Sequence, residues 1–409
     1  MRILFLLSIV SIPCLGTAQV LSVDSMLHAI DVNHPLLKMY DLKAEAFDSY
    51  AQGAKSWEAP QAGTGFYMLP YSMENGMGAY MLTVQQMIPN PGKLRARDEY
   101  IKSMSSIETL YKDASVNELH YQAKAAYFKL LILQKKKTVM IESKELLSYI
   151  IQLSEIRYPY GDEKISSIYM AKARLNELEN ELVMIENNMD MSRIAINTLM
   201  NRDYNTAFDA DTSFTLYNYE NETADTVFLM AHRSDIKAMD QKISTTYLKQ
   251  TVEWSKRKPD FGIRYDHMFT FGMNPNQFSV MGMITIPIAP WSSKMYRSEY
   301  QGLQLDILAL EKERESMLVE SRGMVVSVQT QIRYRKVQTD LYKKNIIPSL
   351  EKSYYATLLA YEQNTESLYM VIDAWLALKM EKTEYLDHLE ELLLLQAEFE
   401  KLTEYDGAQ

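Results

Sequence analysis

The sequence is 409 residues long, 47% hydrophobic and 23% charged, with a formal net charge of −10 and one cysteine, Cys14. An acidic chain is a poor binder of nucleic acid, and one cysteine supplies no disulfide framework. Beyond the N-terminus no run of about 18 apolar residues is unbroken, so no transmembrane helix is predicted.

Residues 1–18 read as a secretory signal peptide. Arg2 is the positive n-region, Ile3 to Ile12 the apolar h-region, and Gly16-Thr17-Ala18 a small-residue cleavage site before Gln19. The apolar run is too short for a membrane anchor, which needs about 20 residues. Pro13 before Cys14 argues against a lipidation site. Cleavage after Ala18 removes the only cysteine, and loss of Arg2 takes the formal charge from −10 to −11.

A first structural repeat, 19–201, begins with short helices and two strands within about 62–88. Tyr80, Leu82, Val84 and Ile88 alternate with Met81, Thr83, Gln85 and Met87, the period of a strand. Its partner near Gly63–Met73 contains Pro70 and little alternation. A long helix is predicted over about 93–158, where Gly and Pro are nearly absent and Glu, Lys, Leu, Met and Ala abound. About 65 helical residues span roughly 100 Å, longer than an ordinary core, which suggests a coiled-coil rod. Arg157-Tyr158-Pro159-Tyr160-Gly161-Asp162 turns the chain into a helix over about 162–200. There Ile168, Ala171, Leu175, Leu178, Leu182, Ile185, Met189, Ser192, Ile196 and Leu199 form a heptad seam. A loop-like inter-repeat segment follows at 202–222.

The second repeat, 223–404, has the same order. Within its strands, about 261–287, Phe261, Ile263, Tyr265, His267, Phe269 and Phe271 alternate with Gly262, Arg264, Asp266, Met268 and Thr270. After the Asn274-Pro275-Asn276 turn, Phe278, Val280, Gly282, Ile284 and Ile286 oppose Ser279, Met281, Met283 and Thr285. A long helix over about 293–361 has Gly323 as an interior breaker and Pro348 as a kink or π-type irregularity. The tip Ala360-Tyr361-Glu362-Gln363-Asn364-Thr365 leads to a helix over about 365–403. Its seam is Val371, Ala374, Leu378, Glu381, Tyr385, His388, Leu392, Leu395, Phe399 and Leu402, broken only by Glu381 and His388. Residues 405–409 form a tail.

Ordered identities link the halves. Lys38 and Lys237, Asp41 and Asp240, Pro60 and Pro259, and Gly63 and Gly262 are 199 apart; Arg97 and Arg297, Glu99 and Glu299, and Tyr100 and Tyr300 are 200 apart; Tyr158 and Tyr361, and Ala171 and Ala374, are 203 apart. Ordered pairs with a slowly growing offset suggest duplication. Strands of about ten residues with one lipid-compatible face match outer-membrane lengths. The alternative is a half-buried sheet in a soluble coiled-coil adaptor or scaffold. Four strands cannot close a barrel, and open edges are not tolerated in lipid, so a membrane reading requires an oligomer.

With this order, the chain resembles the TolC-like outer-membrane efflux family over nearly all of 19–404. The motifs that carry the likeness are Asn33-His34-Pro35, Ile88-Pro89-Asn90-Pro91-Gly92-Lys93-Leu94, Ile346-Ile347-Pro348, and Tyr361 to Ala374 ending in Ile372-Asp373-Ala374. The resemblance implies a mainly α protein with a membrane β-barrel portion. It would be a homotrimer with a 12-stranded barrel in the outer membrane, continued by a periplasmic 12-helix α-barrel, with 202–222 around its waist. It also implies a passive exit duct serving an inner-membrane pump of the RND type through a periplasmic adaptor, with no catalysis and no cofactor. Asp373 matches the family's aperture acid, while Met370 stands where some relatives carry a second. Arg157, Tyr158, Gly161, Tyr361 and Asn364 are the expected adaptor-contacting tips. The Pro-Gly-Lys-Leu junction resembles the heavy-metal branch. By strand parity Met81, Met87, Met268, Met281 and Met283 face the lumen, where thioethers suit Cu(I) or Ag(I); adaptable apolar filling is the other use of Met. Multidrug or protein secretion are the other cargo classes. The six histidines have no metal-site spacing, and neither a nucleophile elbow nor a phosphate loop occurs.

Overall fold

The computed structural model describes residues 19–69, 71, 78–161, 163–211, 214, 216, 217, 219 and 225–404. The expected signal peptide with Cys14, Pro70, Asp162, part of 202–222 and the 405–409 tail lie outside the described residues.

In chain order the elements are β1 (Gln19–Leu21), α1 (Val23–Asn33), α2 (Pro35–Gly53), β2 (Gln61–Tyr67), β3 (Ala79–Ile88), α3 (Pro91–Arg157), a 3-10 turn (Tyr158–Tyr160), α4 (Ile165–Leu199) and β4 (Phe208–Ala210). There follow α5 (Thr226–His232), α6 (Ser234–Ser255), β5 (Phe261–Thr270), β6 (Gln277–Ile284), α7 (Pro290–Leu341), a π segment (Tyr342–Ile346), α8 (Ile347–Glu362) and α9 (Leu368–Thr403). The starts of α2 and α6, 35 and 234, and of α3 and α7, 91 and 290, are 199 residues apart, while those of α4 and α9, 165 and 368, are 203 apart. Among the described residues no helix is long and apolar enough to cross a membrane. The chain divides into two compact units.

One unit comprises Leu36–Ser115 and Ala224–Gly323 and holds the four-stranded sheet, ordered β2-β3-β5-β6 and antiparallel throughout. It is open, with β2 and β6 as edges, and no closed barrel forms within the described residues. β2 is regular from Gln61↔Gln85 to Tyr67↔Ala79 although its sequence does not alternate. Gly63 and Gly65 fall at the positions that would carry the second face, so the pairing is set by backbone and leaves no side-chain signature. β6 stops at Ile284, short of the expected 287; Thr285 N still donates to Asp260 O (2.9 Å), and Pro287 has no N–H to extend the ladder.

The Pro-Asn-Pro-Gly-Lys junction ties β3 to α3. Pro91 takes the first helical position, where a missing N–H costs nothing. Asn90 Oδ1 accepts from Gly92 N (2.9 Å), and Asp260 Oδ1 accepts from Asn90 N (2.8 Å). Lys93 Nζ donates to Asp260 Oδ2 (2.6 Å). A Cβ on Gly92 would lie 2.2 Å from Lys258 Nζ, so glycine leaves room for that lysine.

The other unit takes the chain up to Pro35, Val116–Thr223 and the chain from Met324. β1 and β4 pair in parallel there, and Tyr127 Oη donates to Leu21 O (2.9 Å) while accepting from Asp211 N (2.8 Å). Inter-repeat residues pack on α9: Tyr219 stacks on Phe399 at 4.7 Å and donates to Glu400 (2.6 Å), and Gln396 donates to Tyr217 O (2.7 Å). α4 buries Ile168, Ala171, Leu178, Ile185, Met189, Ser192 and Ile196, with Leu175, Leu182 and Leu199 half-buried. α9 buries more than its seam. Leu368, Ile372, Trp375, Leu386, Leu389, Leu393 and Ala397 form a second stripe, and seam residues Ala374, Glu381, Tyr385, His388 and Leu395 are only half-buried. One heptad seam is too narrow for a helix with neighbours on two sides. Trp375 Nε1 donates to Ser143 O of α3 (3.1 Å), whereas Tyr342 packs edge-on against His388.

Two helix boundaries differ from expectation. Gly323 does not break α7, whose hydrogen bonds run through it; one interior glycine costs only about 1 kcal/mol against alanine. The break lies at Tyr342–Ile346. Pro348 cannot donate to the carbonyl four residues back and its ring crowds that carbonyl, so the preceding turn widens and Ile347 N donates to Tyr342 O. α3 ends at Arg157 because Pro159 disfavours helical geometry for Tyr158, which enters a 3-10 turn.

Candidate functional site

Three groups of expected functional residues are built by these elements: the sheet faces, the tips and the start of α9.

Cross-strand partners share a face, so the register sorts the sheet. One face carries Phe66, Tyr80, Leu82, Val84, Phe261, Ile263, Tyr265, Phe269, Phe278, Val280 and Ile284. All but Tyr80 are exposed in the single chain, Phe278 by 70%. The other face carries Thr83, Gln85, Arg264, Asp266, Ser279 and all five expected methionines: Met81, Met87, Met268, Met281 and Met283. Asp266 is only 2% exposed. Its Oδ1 accepts from Thr83 Oγ1 (2.6 Å) and Arg264 Nε (2.9 Å), and its Oδ2 accepts from Ser279 Oγ (3.2 Å). One carboxylate thus links three strands. The sheet inverts the usual soluble order: its apolar face is open and its charged group buried. Strand parity reveals the two faces, but the Asp266 network needs a register that the sequence does not print.

At the first tip Gly161 is left-handed with φ 81°, and Asn364 at the second has φ 61°, each satisfying the sharp reversal after a helix. Arg157 and Tyr361 join the two tips. Arg157 Nη1 donates to Tyr361 O and Nη2 to Glu362 O, both at 2.6 Å, and its guanidinium lies 4.5 Å from the Tyr361 ring centre. Tyr361, 2% exposed, directs its hydroxyl to Ser154 Oγ (3.2 Å) and Glu163 Oε2 (2.9 Å). Burial foremost, with Glu163 beside it, raises its pKa above the ordinary tyrosine value, while the Ser154 hydrogen bond lowers it. Arg157 and Tyr361 therefore form a clasp within the chain, whereas Tyr158, Gly161 and Asn364 are exposed. Ser154 and Glu163 were not singled out in the sequence, because neither stands out among helical and turn polar residues.

Asp373 lies on the exposed side of α9, with Tyr369 and Met370 also exposed one turn earlier. Among the described residues no group of three His, Cys, Asp or Glu is arranged to hold a metal ion.

No protein-family model matches the sequence, and no curated protein matches it. Solved structures do. VceC, an outer-membrane protein of Vibrio cholerae, is 15% identical with TM-score 0.75, over 93% of this chain and 95% of VceC. CusC, whose structures concern transmembrane channel formation, is 12% identical with TM-score 0.77, over 93% and 91%. The CmeC outer-membrane channel of Campylobacter jejuni is 13% identical with TM-score 0.73, over 93% and 85%. Across nearly its whole length, then, this mainly helical chain has the fold of outer-membrane channel proteins.

Proposed function

We propose that this chain is one protomer of a homotrimeric outer-membrane exit duct, in which three open sheets close a 12-stranded barrel and the helices continue it as a periplasmic tube. The carrying observation is the inverted sheet. An aromatic and aliphatic face open to the surroundings beside a buried, hydrogen-bonded Asp266 suits lipid outside and water inside. A soluble coiled-coil adaptor has no use for such a face. The channel fold of the similar structures supports the same reading.

On this reading the duct conducts passively, receiving cargo from an inner-membrane pump of the RND type through a periplasmic adaptor. The adaptor contacts are the exposed tip residues Tyr158, Gly161 and Asn364; Arg157 and Tyr361 shape the tips from within. Three copies of Asp373 around one axis form a cation-favouring aperture.

Fractionation tests the reading. The mature protein is expected in the outer-membrane fraction, released only by detergent, with the native mass of three chains. A protein recovered soluble without detergent, or a detergent-extracted monomer, overturns it.

A further inference from the structure

All the methionines of the four strands lie on one face. Met81 and Met87 of β3, Met268 of β5, and Met281 and Met283 of β6 share it with Thr83, Arg264, Asp266 and Ser279. The opposite face takes Phe, Tyr, Val, Ile and Leu together with Thr64, Gln86 and His267, and no Met, while Tyr67 shares the methionine face. A residue used only as adaptable apolar filler belongs with the other apolar side chains. Here it is segregated from them onto the face that holds a buried carboxylate.

Two of the five converge. Gly262 of β5 pairs with Met87 on one side and Met283 on the other. A Cβ on Gly262 would lie 2.6 Å from Met87 Sδ and 3.0 Å from Met283 Cε. Both side chains therefore lie over the same glycine from its two flanking strands, Met87 through its sulfur and Met283 through its terminal methyl and Cβ, and a side chain at 262 would displace both. Thioether sulfur is a soft donor that carries no proton, so it favours Cu(I) or Ag(I) over hard cations and needs no deprotonation to bind.

We infer that Met87 and Met283 close over Gly262 as a two-thioether seat for a soft monovalent cation, Cu(I) or Ag(I). That this cation is cargo rests on the duct reading; the seat itself does not.

The test uses the full chain purified in detergent, silver nitrate as the probe, and chloride-free buffer. Bound silver is measured after desalting, and X-ray absorption identifies its neighbours. One silver per protomer with sulfur neighbours is expected. Met87→Leu with Met283→Leu, which keeps side-chain volume, is expected to weaken binding by at least about tenfold, the order seen even for outer-shell changes at metal sites. Gly262→Ala is expected to weaken it with both sulfurs still present, while Met184→Leu, on exposed α4 surface, leaves it unchanged. Silver binding that is absent, or equal in the wild type and the Met87/Met283 double variant, overturns the seat. A trimer from the outer membrane that binds no silver keeps the duct and removes the seat. A soluble chain that binds silver through these residues does the reverse.

Discussion

Tyr354 is completely buried in α8, and its hydroxyl has no hydrogen-bond partner among the described residues. Burial pushes its pKa up from 10.0 to about 12. Because the folded state holds the proton more tightly than the unfolded state, the stability linked to this group is complete below pH 10 and lost as pH climbs toward 12. Tyr354→Phe is expected to flatten that loss and, by removing an unsatisfied hydroxyl, to raise stability near neutral pH by up to about 1 kcal/mol; denaturation of the detergent-solubilised protein at pH 8 and pH 11 checks both. Asp373 is the opposite case, an exposed charge whose proposed aperture role requires several chains around one axis. Asp373→Asn is expected to leave stability unchanged and to lower cation-over-anion permeability several-fold in planar bilayers; unaltered reversal potentials and cation block would remove Asp373 from the aperture.

At the scale of elements, the π segment is a register device. One extra residue sits in a wide turn at Tyr342–Ile346, after which α8 carries Tyr354 and Tyr361 inward. Deleting Lys344 removes the extra residue, so the helix is expected to kink at Pro348 rather than widen while those two tyrosines keep facing inward. Deleting Val326 in regular α7 rotates everything beyond it by about 100° and is expected to abolish folding. Thermal melts of the two deletions give the comparison. The sequence identified Pro348 as the cause but not the extent of the wide turn, since proline disturbs the turn before it by an amount that packing decides. The same limit applies elsewhere. β5 was legible because every second residue is apolar or aromatic; β2 was not, because Gly63 and Gly65 carry no pattern. The α4 seam was legible as a single stripe; the second stripe of α9, including Trp375, was hidden because a helix buried on two sides loses the narrow periodicity that marks a seam. Of the sites, the methionine face followed from parity alone, whereas the Arg157–Tyr361 clasp joins residues 204 positions apart and leaves no local signal.

For the whole molecule the two sheet faces make unequal demands. Val280 lies on the exposed apolar face and Gln277, three residues earlier, on the face of Met268 and Asp266. If lipid covers the first face, Val280→Lys carries a penalty of about 2–4 kcal/mol near the bilayer midplane and is expected to deplete the outer-membrane fraction. Gln277→Lys is expected to assemble normally. Equal yields from the two variants would remove lipid from that face.

The free edges of β2 and β6 have a genetic consequence. Among the described residues each has one side left unpaired; if three chains close one ring in lipid, as proposed above, every chain completes its neighbours' ladders. A chain with a proline set into β6 would spoil any ring it joined. Expressed equally with the intact gene, it would leave only about one eighth of rings free of it, and the damaged allele would behave as a dominant poison rather than a silent loss.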